Sequence, residues 1–138
     1  MATNVLGTAA RQDPRQVSNT LKKTINWNDA ASGVAVPMAN YLPMGAFITG
    51  VWVEVVTGFN GTTPTITVGT NAGSWNNIVA AGDVTWTAAA VAIPITRALG
   101  RSLTAAADVL PQVTWNATGS PSAGQAIVVI EFEGGWQS

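Results

Sequence analysis

From Ala46 to Thr57 the chain alternates in a period of two. Val51, Val53 and Val55 fall on one side of an extended strand, with Trp52, Glu54 and Val56 on the other. Its β-branched content favours a pleated surface over a helix. The same period returns over Gln125–Glu133, where Val128, Ile130 and Phe132 oppose Ile127, Val129, Glu131 and Glu133. Shorter alternations occupy Lys22–Asn28 and Pro64–Thr70. Further short strands are predicted at Asn76–Ala80, Val84–Thr87, Val91–Thr96, Arg101–Thr104 and Val109–Asn116. Pro94 and Pro111 mark two of these as edge strands or bulged ones. The alanine-rich stretches at 88–92 and 105–107 are too short and uncapped for helix and read as loops or strand ends. Val84-Thr85-Trp86 and Val113-Thr114-Trp115 echo each other, as two strands in similar environments would.

Between the strands stand Gly, Pro, Asn and Ser. The turn Gly58-Phe59-Asn60-Gly61 holds an Asn-Gly pair that takes positive φ readily, which predicts a hairpin with Phe59 at its tip. Short strands at this spacing predict an all-β chain, a β-sandwich or jelly roll. Residues 1–20 carry neither period and contain Gly7 and Pro14, so they are expected to form an extended N-terminal arm before a β-sandwich domain at 21–138.

Composition narrows the chemistry. The 138 residues include no histidine and no cysteine, and only 9% are charged against about 25% in ordinary proteins. There is therefore no imidazole base or ligand and no thiolate nucleophile, disulfide or thiolate zinc site. No phosphate-cradling glycine loop precedes Lys-Ser or Lys-Thr, no Asp-rich loop predicts calcium, and no cofactor is expected. Glu131 and Glu133, roughly 7 Å apart on one strand face, with Glu54 as a third carboxylate, fit a glycosidase pair only in outline. The plainer reading is a solvated strand face, and an enzyme is not expected. No apolar run approaches the roughly 18 residues of a membrane span, and no secretory signal is visible at residues 1–20.

What remains suits adhesion. Low charge combined with six tryptophans is how interface cores differ from free surface. Trp27, Trp52, Trp75, Trp86, Trp115 and Trp136 cannot all be buried in a small sandwich with partners for every indole N–H, so the set divides between core and contact surface. Trp75 and Trp136, flanked by glycines, and Phe59 at the expected hairpin tip are the preferred contact residues. The net charge of −1 is unevenly spread. Arg11, Arg15, Lys22 and Lys23 oppose Asp13 alone in residues 1–23, whereas the rest is mildly acidic. This basic segment is either a solvated tail or an arm lying on an acidic neighbour. Four cations are too few for a nucleic-acid footprint. A glycan stacked on exposed tryptophans is the alternative partner, as in a carbohydrate-binding module or a host-attachment fibre or spike.

Two segments carry a resemblance. Gly45 through Val55 (GAFITGVWVEV) leads by Phe59-Asn60-Gly61-Thr62-Thr63-Pro64 into Thr65-Ile66-Thr67-Val68-Gly69-Thr70, and Ala123 through Phe132 (AGQAIVVIEF) closes the chain. Together they span about a quarter of it. The chain resembles small structural proteins of tailed bacteriophage virions. The resemblance implies a capsid decoration or cement protein, with a jelly-roll-like body assembled as a homotrimer on the capsid surface. Its implied partner is the major capsid protein, and its implied place of synthesis is the bacterial host cytoplasm. An N-terminal arm reaching onto a neighbouring subunit is also implied.

Overall fold

A computed structural model of the chain describes residues 19–103 and 107–134. Within them run β1 (Asn19–Asn26), β2 (Ala35–Pro37), β3 (Ala46–Thr57), β4 (Thr62–Gly69), β5 (Ala90–Pro94), β6 (Gln112–Thr118) and β7 (Gln125–Gly134). They form a four-stranded sheet in the order β1-β7-β3-β5 and a three-stranded sheet in the order β2-β6-β4. Every pairing between strands is antiparallel. The architecture is an all-β sandwich.

The two strongest alternations in the sequence are the two central strands of the larger sheet. β3 and β7 pair along almost their whole length, with Val51, Val53 and Val55 opposite Ile130, Val128 and Ala126. All six side chains are buried. They face Ile66 and Val68 of β4 and Val113 and Trp115 of β6 in one continuous apolar cluster. Burial of such surface, at roughly 25 cal/mol per Å², is the main force holding the two sheets together. The outer face of the smaller sheet is polar instead, carrying Thr65, Thr67, Gln112, Thr114 and Asn116.

Three expected strands are absent. Over Asn76–Ala80, Ile78 and Val79 drop into the core and make only a bridge from Val79 to Val68. The Asn71 side chain pulls this segment out of line by accepting from the amides of Asn76 and Asn77 at 2.8 and 3.2 Å. Val84–Thr87 and the described part of Arg101–Thr104 are also irregular, and β2, three residues long, was too short for a periodic signal.

β3 and β4 do not form a hairpin, because they belong to different sheets. Between them Phe59 plunges inward rather than standing at a tip. It is 1% exposed, with its ring 4.8 Å from that of Trp115 and edge-on to Trp86 at 6.5 Å. Its amide donates to Trp86 O at 2.8 Å, and Asn60 Oδ1 accepts from the amides of Ser122 and Ala123. A chain crossing between two sheets passes the core, and the large apolar side chain at the crossing is the one the core takes up.

On the opposite end, Arg97 forks onto Asp83, Nε donating to Oδ2 at 3.0 Å and Nη2 to Oδ1 at 2.7 Å. This hydrogen-bonded guanidinium holds the Asp83 carboxyl below its ordinary value of 3.8, against the opposing effect of partial burial. Because the folded value is the lower one, the pair adds stability above pH 3.8 and loses it as the pH falls below that point. Arg97→Ala should therefore lower Tm slightly at neutral pH and not at all in strong acid, by calorimetry. An equal drop at both would refute the ionic origin of the effect. The Arg97 side chain is nearly half exposed, and solvent screening there keeps the change small.

Candidate functional site

The four-stranded sheet turns one face to the core and leaves the other to solvent. On that outer face Lys22, Val129, Trp52 and Pro94 lie in one cross-strand row. Thr24, Ile127 and Glu54 make the row on one side of it, and Thr20, Glu131 and Gly50 the row on the other. Trp52 is 42% exposed although it sits mid-strand in a central strand. It leans over Gly50, where an added β-carbon would stand 3.2 Å from Trp52 Nε1 and 2.8 Å from Glu131 Oε1. The missing side chain at position 50 is what lets the indole and the carboxylate lie down on the sheet.

A bulge extends the patch. β5 pairs Ile93 with Val53 and Ala90 with Val55, so Val91 and Ala92 are crowded opposite Glu54 alone. Ala92 takes φ +53, and Val91 is thrown outward to 73% exposure. Lys22, Trp52, Glu54, Val91, Ile127 and Val129 then ring a shallow depression of about 350 Å³. The result is an apolar surface with one tryptophan near its centre and a thin border of charge, the composition of a contact patch.

The expected site residues are divided among different places. Lys22 is on this face and exposed, whereas Lys23 points the other way, between the sheets. Phe59 is in the core, a correction to its expected place on the surface, since the aromatic cluster with Trp86 and Trp115 claims its ring. Trp75 is half-buried at φ +48 in the loop after β4, on the other sheet. Arg11, Arg15 and Trp136 lie outside the described residues, as does most of the expected arm. Trp52 was not singled out from the sequence, yet the signal was there, because it alternates against the three core valines.

Glu54 stands across β7 from Thr24 and Glu131 across from Gly50, both on the apolar face. Among the described residues no group of three Asp or Glu side chains converges closely enough to hold a metal ion.

No protein-family model matches the chain, and no curated protein is similar to it in sequence. A solved structure is similar in fold, a chain described as belonging to the "Cyanophage Pam1 capsid asymmetric unit". The TM-score is 0.65, with 22% identity over 83% of each chain. The two chains share a fold. That likeness covers most of the sandwich and reaches well beyond the two segments that carry the sequence resemblance.

Proposed function

We propose that this chain is a structural protein of a bacteriophage virion, a decoration or cement protein that binds the assembled head and stabilises it. The observation that carries the reading is the outer face around Trp52, an apolar patch left uncovered on a sandwich whose fold is shared with a chain of a cyanophage capsid unit. The inventory of side chains supports adhesion over catalysis, since no histidine or cysteine is present. In this reading the partner is the major capsid protein, the chain is a homotrimer on the capsid surface, and it is made in the host cytoplasm. The arm expected at residues 1–20, less Asn19 and Thr20 that belong to β1, carries Arg11 and Arg15 and reaches a neighbouring acidic surface.

A ligand that binds only the assembled shell stabilises that shell by mass action, and many copies multiply the effect. Saturating heads that lack the chain with purified protein should raise their disruption temperature in a calorimeter. Removing residues 1–18, which leaves β1 whole, should weaken attachment while the sandwich still melts cooperatively. Heads that melt at the same temperature with and without the chain would end the cement reading. Quenching of Trp52 fluorescence by a glycan instead would favour host attachment.

A further inference from the structure

The edge strand β1 carries a feature that the apolar face does not account for. Trp27 N donates to Gly124 O at 3.1 Å, and these two residues stand directly opposite in the β1–β7 register. In an antiparallel ladder hydrogen-bonded and non-bonded pairs alternate. Odd-numbered residues of β1 therefore bond to β7, and Thr20, Lys22, Thr24 and Asn26 turn their amides and carbonyls away from it. Asn26 bears this out, since its amide donates to Asp29 Oδ2 at 2.8 Å and its carbonyl accepts from Asp29 N. Thr20, Lys22 and Thr24 have no such partner among the described residues.

Three consecutive open rungs form a template for another strand. The charge on this strand selects which one. Both lysines of the chain are on β1, Lys22 on the outer face and Lys23 turned between the sheets, and neither makes an ion pair among the described residues. Pairing of β1 with a second β1 brings lysines together, and residues 1–18, with Arg11 and Arg15 against Asp13, repeat the conflict. An inward lysine on an edge is a known device against pairing with its own kind. A carboxylate-bearing strand meets no such obstacle. Beside the start of the edge, Thr20, Leu21, Asn40, Tyr41 and Pro43 line a groove of about 470 Å³. Tyr41 is 57% exposed there, and the one carboxylate in the groove, Asp108, is engaged by the Met44 amide at 2.7 Å.

We infer that the free edge of β1 receives an extended, acidic strand from a partner protein, adding a fifth strand to the larger sheet. Backbone rungs at Thr20, Lys22 and Thr24 hold it, Lys22 and Lys23 favour its carboxylates, and the Tyr41 groove takes one of its side chains. The proposal names the docking edge for the adhesion proposed above, but its test does not depend on a virion.

The probes are a synthetic Thr-Glu-Val-Glu-Val-Glu-Thr peptide and its counterpart with lysine for glutamate, titrated into isotope-labelled full-length chain by NMR. The acidic peptide should shift the amides of Thr20, Lys22 and Thr24, and the lysine peptide should not. Thr24→Pro deletes an outward N–H that β7 does not use, so the melting transition should survive while peptide affinity falls about tenfold. If Thr24→Pro unfolds the chain, the double charge reversal Lys22→Glu with Lys23→Glu decides, by exchanging the peptide preference. No shift at those three amides, or equal response to both peptides, overturns the edge assignment. Heads that ignore the wild-type chain refute the cement reading and leave the peptide result standing.

Discussion

Phe59→Ala is expected to lower the unfolding free energy by about 3–5 kcal/mol, measured by urea denaturation. Such a loss is a large part of the roughly 5–15 kcal/mol that holds a domain of this size together. The magnitude follows from position. The ring is 1% exposed, and Trp115 and Trp86 pack against it from two directions. Neither indole can move into the vacated space freely, because each is fixed by its own segment. Trp86 Nε1 donates to Ala81 O at 3.3 Å, and Trp115 sits mid-strand in β6, paired with Ile66. A cavity therefore stays open, and the cost includes both lost transfer energy and lost contacts. Trp52→Ala in the isolated chain should cost a fraction of this, since nearly half of that side chain already faces water. Comparable losses for the two variants would refute the division of aromatics into core and contact surface.

That division also marks how far the sequence could be read. β3 and β7 were legible to within a residue at either end because each has one face on the core and one in water, the condition under which a period of two is written into the residues. Their outer faces were legible for the same reason, and Trp52 with Val129 and Ile127 needed only to be weighed as a surface. The edge strands were less clear. β1 begins at Asn19, three residues ahead of its visible alternation, because the inward Lys23 interrupts the apolar row between Leu21 and Ile25. The β5 bulge, which lifts Val91 outward, leaves no mark in a run of alanines.

The crossing at Gly58–Gly61 was misread for a chemical reason. Asn60-Gly61 is good hairpin chemistry, and local preference cannot tell a turn within one sheet from a passage between two. The distant partners that decide it are Ser122 and Ala123 on Asn60 and Trp115 on Phe59, all about sixty residues away in the chain, with Trp86 on Phe59 about half as far. The echo between Val84-Thr85-Trp86 and Val113-Thr114-Trp115 held the missing information, since both tryptophans meet on the same ring although only the second lies in a strand.

The Phe59 pocket is closed on its remaining side by backbone, and this makes Gly124 the second position of large effect. Gly124 takes φ +145, and a β-carbon there would overlap the Phe59 ring at Cδ2 and Cγ. The backbone has no easy retreat. Gly124 O is tied to Trp27 N at 3.1 Å, and Ala123 is held on both sides of its peptide by Asn60. Gly124→Ala should therefore cost about 2–5 kcal/mol, combining an unfavourable φ with overpacking. The two sources separate in a double-mutant cycle. Phe59→Ala removes Cγ and Cδ2, the atoms that the new methyl strikes, while leaving φ unchanged. The cost of Gly124→Ala should then fall by roughly 1 kcal/mol or more in the Phe59→Ala background. Strictly additive losses would mean that φ alone makes glycine necessary at 124 and that the ring does not press on the backbone there.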